Sequence, residues 1–309
     1  MSSSSSSADT SADPLTSELS TLRVSLDALL LISASYFPTD SLLRTARLSE
    51  QSSILATRAG LAVAAATSAN APAPIRAALL LIQGRALDAA GGFSPEAEAA
   101  LSRAVRLDAS RADAWAALGH VQWKKPDIES ARESFAASLE RGPTPLAHRS
   151  LAQLARAQAA AGGGSAAANA EAAATAVRHA KAAVQLDMSD ATSWAALGVA
   201  HLTEAASVSF SAADVKRSKA AFTRAATLEE QAAVRAIDVD DVPVRDPDLH
   251  FNRGHALAYA EDYAGAIASF KFAAEIDPSL PSPVSFFLSI THHHRHHHHH
   301  YHYHDSQVH

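Results

Sequence analysis

ADAWAALGHVQWKKPDIESARESFAASLERGP, residues 112–143, decides the fold. Apolar and small residues recur in it at three- and four-residue steps, in two runs separated by Lys125, Pro126 and Asp127. That spacing predicts two helices joined by a tight turn. Small residues at Gly119 and Ala131 let the two helices approach closely, while Trp115, Leu118 and Phe135 fill the space between them and a neighbouring unit. A single helix pair cannot bury its own apolar faces. The rest of the chain must therefore supply stacking neighbours, and function is expected on the surface that stacking creates.

With Ala112 as position one, Trp115, Leu118, Gly119, Ala131, Phe135 and Pro143 occupy the marker positions of the tetratricopeptide pattern, which the stretch resembles. Working outward, Trp194, Leu197 and Gly198 repeat the W-x-x-L-G signature in a unit beginning at Ala191. A polar insertion at Ser207–Ala213 follows, then a second helix carrying Phe222 and Ala225, then a linker rich in Asp and Val from Ala236 to Arg245. The last unit counts from Pro247, with Gly254, Ala266, Phe270 and Pro278 on the markers and Asp246 as N-cap. Between the two tryptophan units, one helix starts near Pro145 and stops at Gly162, Gly163 and Gly164, and its partner resumes near Glu171 after a glycine- and alanine-rich loop. Upstream, a degenerate repeat starts at Arg76 and turns at Gly91 and Gly92.

Four segments are expected: a disordered serine-rich terminus over 1–14, an N-terminal helical cap over 15–75, the repeat array over 76–278 and a disordered histidine-rich tail over 279–309. The fold class expected is all-α, a superhelical solenoid of antiparallel helix pairs. Composition agrees, because 48% of the 309 residues are hydrophobic but only 6% aromatic, which suits alanine-rich helix packing. The absence of cysteine excludes a disulfide framework, a thiolate metal site and a Cys nucleophile. A formal charge of -6 argues against a surface that grips nucleic acid everywhere, and leaves room for a local basic patch. Neither a secretory signal nor a transit peptide fits the opening MSSSSSSADTSADP, and no apolar run approaches the roughly 18 residues of a membrane span. No Walker loop, G-x-S-x-G, H-E-x-x-H or dinucleotide fingerprint occurs, so neither catalysis nor a cofactor is expected. The histidines from His292 to His304 would chelate nickel, zinc or copper weakly, but they lack a packed surround to fix a geometry. No metal site is assigned to them.

In a stacked array of this kind, positions 2, 5, 9, 12 and 13 of each first helix line the concave face. They select Asp113, His120, Trp123 and Lys124, then Arg149, Gln153 and Arg156, then Val199 and Thr203, then Asp248, Phe251, His255 and Tyr259. A groove presenting Arg156 and Asp248 together would hold a short peptide bearing both charges. The competing readings are a solvated face or inter-helix ion pair for Arg156, and a first-turn charge favoured by the helix dipole for Asp248. The carboxylate clamp of some chaperone-binding tetratricopeptide proteins needs Asn at position nine of successive units. This chain has His120, Gln153 and Val199 there, which disfavours it. Arg103 and Arg106, three apart on a second helix, form a small basic patch able to touch phosphate, or else a solvated face.

Several strings together, ALLLIQGRALD, FSPEAEAALSRAVRLD, WAALGHVQWKKPD, VRHAKAAVQLDMSDATSWAALG and DPDLHFNRGHALAYAEDYAGAIASFKFAAEIDP, resemble the family of tetratricopeptide repeat protein 5, also called Strap, over roughly Leu15 to Pro278. The resemblance implies a non-enzymatic adaptor that recognises the amino-terminal peptide of nascent tubulin at the ribosome and promotes tubulin messenger-RNA decay. The alternative it implies is a nuclear scaffold for transcriptional coactivators in the stress response, with cytoplasm and nucleus as the compartments. It places the peptide-holding arginine at Arg156 and the aspartate at Asp248; the groove positions add Trp123, His120, Phe251 and His255 to the candidate peptide site, together with Asn252. It places the ribosomal-RNA contact at Arg103 and Arg106. Family members continue into a carboxy-terminal β-barrel of the oligonucleotide-binding type. Nothing after Pro278 resembles one, so the chain reads as truncated before it, with neither membrane nor direct DNA binding expected.

Overall fold

The computed structural model describes residues 14–38, 41–125, 127–160, 164–206, 211–237 and 245–280. Among them regular structure is entirely helical: α1 (Pro14–Ser35), α2 (Ser41–Ser68), α3 (Ala73–Ala89), α4 (Pro95–Leu107), α5 (Ala112–Lys124), α6 (Ile128–Arg141), α7 (Pro145–Ala160), α8 (Ala166–Leu186), α9 (Ala191–Glu204), α10 (Ala212–Ile237), α11 (Pro247–Tyr259) and α12 (Tyr263–Ile276). The serine-rich start, Pro126, Gly162 and Gly163, residues 207–210 of the insertion, residues 238–244 of the linker and the histidine tail lie outside the described residues.

Consecutive helices pair, α3 with α4, α5 with α6, α9 with α10 and α11 with α12. One contact recurs inside three of these pairs. A Cβ placed on Gly119 would stand 2.7 Å from the Phe135 ring, one on Gly198 2.8 Å from Phe222, and one on Gly254 2.6 Å from Phe270. These approaches are too short for any side chain, so glycine is required where the ring of the second helix presses on the first. In the pair α3–α4, Leu101 takes the ring's place against Gly84. Among the described residues, Phe135, Phe222 and Phe270 are the largest fully buried side chains.

The segments that follow α4, α8 and α12 repeat as well. Asp108, Asp187 and Asp277 each accept, through Oδ1, the amide and hydroxyl hydrogens of the serine two residues on, Ser110, Ser189 and Ser279. Trp115 and Trp194 each donate their Nε1–H, at 3.0 Å, to the backbone carbonyl six residues earlier, Ala109 and Met188. A partly buried indole thereby satisfies its polar end while its face packs between helices.

The described residues fall into two compact units, one of residues 14–34 and 45–151, the other of residues 35–38, 41–44 and those from 152 onward. In the first, Leu19, Leu22, Leu26 and Leu29 form a stripe on α1 at steps of three and four, and they share one core with α2 through α5. Helix α3 sits in the middle of that core. Its run Ala77–Ile82 is buried on every side, which is why the sequence there is apolar without periodicity. In the second unit, Ala152 and Ala155 of α7 cluster with Ala176, Val177, Ala180 and Val184 of α8, and Phe222 and Ala225 of α10 cluster with Leu249 and Ala256 of α11.

Several boundaries differ from the sequence reading, among them the start of α1 at Pro14 and that of α10, which takes in Ala212 and Ala213 of the expected insertion. Helix α8 begins at Ala166, not near Glu171, because the Ser165 hydroxyl accepts the Ala168 amide hydrogen (3.2 Å) as an N-cap and alanine is the strongest helix former. Helix α10 continues to Ile237, so Ala236 is helical and not linker.

The glycine–ring contact yields a stability prediction. Gly254→Ala should lower stability by about 1–3 kcal/mol through overpacking, and adding Phe270→Leu should recover part of that loss, both read as urea midpoints. A midpoint for Gly254→Ala equal to wild type would show that the ring can shift at little cost.

Candidate peptide and phosphate sites

In the second unit, Arg156 projects from α7, whose neighbouring Ala152, Leu154, Ala155 and Ala159 are buried. Arg156 itself is half-buried, and loss of water pulls its guanidinium below the usual arginine value. Among the described residues it makes no hydrogen bond and no ion pair. A desolvated cation without an internal counter-charge costs free energy that an anionic ligand can offset.

Asp248 lies in the first turn of α11 and is exposed. Asp246 caps that turn, its carboxylate accepting the amide hydrogens of Asp248 (2.9 Å) and Leu249 (3.2 Å), and burial pushes the Asp246 carboxyl up. The Asp248 carboxylate has no hydrogen-bond or ion-pair partner among the described residues. Nor does any such bond join it to Arg156, so both charges remain available to a ligand. Asn252 donates one Nδ2–H to the Asp248 carbonyl (2.8 Å), spending one of its two amide hydrogens on the helix. Phe251 and His255 meet edge to face at 4.8 Å, and each packs on Phe270, at 5.4 and 5.2 Å. Burial pushes His255 down to about 4, so its imidazole is neutral near pH 7.

His120 and Trp123 belong to the first unit, on α5. The His120 Nε2 stands 3.2 Å from the Ser150 hydroxyl and the ring meets Phe135 edge-on, while burial holds its pKa below the ordinary value against the pull of Asp88. Trp123 is half-buried. Lys124, a groove candidate by position, is instead tied down: its ammonium donates to the Asp88 carboxylate (2.7 Å) and carbonyl (2.9 Å). Position along one helix cannot reveal a partner on another.

Arg103 and Arg106 are exposed on α4 and line a cleft of about 260 Å³ with Val63, Thr67, Leu80, Leu107 and Arg76. Arg76 was missed by sequence reasoning, because it sits on α3 at no position the repeat marks. Its Nε is buried without a hydrogen-bond partner. Among the described residues, none of the three guanidinium groups pairs with a carboxylate. Three unneutralised cations around one concavity favour an anion. Also unforeseen is the buried contact of His250 with Glu229, 2.6 Å apart, which with the Asp246 amide fastens α11 to α10.

No family model matches the chain. Among curated proteins it is similar to tetratricopeptide repeat protein 5 of Bos taurus, 34% identical over 67% of this chain and 44% of that protein. The Mus musculus protein is 31% identical over 68% of this chain and 45% of its own length, and the Homo sapiens protein 30% identical over 67% and 44%. Among solved structures, the human IFIT1 dimer with m7Gppp-AAAA aligns with a TM-score of 0.56 at 15% identity over 85% of this chain and 51% of its own. The APC/C hetero-tetramer Cut9-Hcn1 aligns at 0.54 and 17% identity over 86% and 46%. At those identities the likeness is one of fold.

The chain is a tetratricopeptide-repeat protein, an all-α solenoid of helix pairs. More particularly, it is a protein like tetratricopeptide repeat protein 5 over its repeats, and it spans less than half the length of those curated relatives.

His255 supplies a pH prediction. Its folded value of about 4 lies below the ordinary 6.5 of the unfolded chain, so its contribution to stability is complete above about pH 6.5 and is lost as pH falls toward 4. The urea midpoint of wild type should drop across that window, and His255→Leu should lessen the drop. An identical pH dependence in the variant would remove His255 as its source.

Proposed function

We propose that this chain is a peptide-binding adaptor that captures the amino-terminal peptide of nascent tubulin at the ribosome and so promotes decay of tubulin messenger RNA. The observation that carries the reading is Arg156, a half-buried guanidinium with no internal counter-charge among the described residues, at the position where the resemblance puts the peptide-holding arginine. Asp248 supports it with an unengaged carboxylate in the same unit, offering the opposite charge to a peptide that carries both signs. Phe251 and His255 give the neighbouring surface of α11 a rigid aromatic character. The contact to the ribosome is the arginine cleft, where Arg76, Arg103 and Arg106 take a phosphate of ribosomal RNA.

Two measurements separate the halves of this reading. A labelled tubulin amino-terminal peptide should lose affinity for Arg156→Ala and for Asp248→Ala by roughly 30-fold or more, the cost of unpairing one member of a buried charged contact. Equal affinity in both variants would exclude the groove. Arg103→Glu with Arg106→Glu should abolish co-sedimentation with ribosomes while peptide affinity stays at the wild-type level. Retained co-sedimentation would remove the cleft from the ribosome contact.

A further inference from the structure

His201, Glu204 and Asp214 come together where α9 ends and α10 begins, at the two edges of the insertion. We propose that these three side chains bind a first-row transition-metal dication such as zinc, which pins the end of α9 to the start of α10.

The geometry suits such an ion. One ligand atom from each residue lies within 4.8 Å of the others, with His201 Nδ1 at 3.4 Å from Glu204 Oε2 and 3.9 Å from Asp214 Oδ1. Ligands held about 2.1 Å from a tetrahedral zinc are about 3.4 Å apart, so little contraction is needed. A second observation points the same way: His201 is 5% exposed, yet among the described residues its Nδ1 makes no hydrogen bond. Buried ring nitrogens are nearly always satisfied, and this one faces two carboxylates. Glu204 sits one turn beyond His201 on the same face of α9. Asp214, 6% exposed, comes from the first turn of α10.

The cluster is particular to this helix pair. Counted from the glycine under the ring, the places held here by His201 and Glu204 hold Gln122 and Lys125 after Gly119, and Leu257 and Ala260 after Gly254. Gln122 there accepts a hydrogen bond from the Ser134 hydroxyl within its own hairpin. One nitrogen, two carboxylate oxygens and a fourth position for water suit zinc or a similar ion, whereas calcium and magnesium seek six or more oxygen ligands. Arg217 pairs with Asp214 Oδ1, but its side chain is 61% exposed and can leave for solvent when a dication arrives.

The histidine tail would also take up zinc, so the test must be local to the cluster. Hydrogen exchange of the full chain is measured with and without zinc, in peptides spanning 199–206 and 211–217. Zinc should slow exchange there about tenfold or more in wild type and leave it unchanged in His201→Ala and Asp214→Asn. Asp214→Asn preserves the packing volume, and circular dichroism confirms that each variant is folded. Arg217→Met, which removes the competing cation, should shift half-protection to lower zinc. Exchange unaffected by zinc in wild type, with the metal on the tail only, would overturn the site. So would equal protection in Asp214→Asn.

Discussion

The repeat rests on one steric constraint, a glycine facing a large side chain across each tight helix pair. At Gly119, Gly198 and Gly254 there is no room for a methyl group because a phenyl ring occupies it. The ring fills what would otherwise be a void between two alanine-rich helices, and dispersion contacts over its whole surface fix how the two helices cross. Without that interlock, alanine faces could slide along one another at little cost.

The same contact tolerates different connections. Gly119 and Phe135 are sixteen residues apart, as are Gly254 and Phe270, but Gly198 and Phe222 are twenty-four apart. The additional eight residues lengthen the far end of the hairpin, one in α9, four in the connection and three in α10, and leave the interlock intact. The extra length is taken up at the end of the hairpin, where His201, Glu204 and Asp214 gather. Loop closure is a weak function of length, so such an insertion perturbs the pair little.

Much of the fold is legible in the sequence because these contacts are local. Gly, Phe, Trp and the Asp-x-Ser linkers each act within one unit or at its edge, so a short stretch of text contains both partners of each contact. The sites are less legible. The pairing of Lys124 with Asp88 and the gathering of Arg76 with Arg103 and Arg106 depend on helices whose relation no single-helix pattern encodes. Even the start of α8 was obscured, since a glycine run beside an alanine run reads as loop until Ser165 is seen to cap it.

Where α7 meets α8, Ala152 and Ala155 join Ala176, Val177, Ala180 and Val184 in a cluster of small side chains. Alanine contributes few atoms to a contact, so cohesion across this cluster is divided among many small side chains, and no single one of them carries what a phenyl ring carries where it meets a glycine.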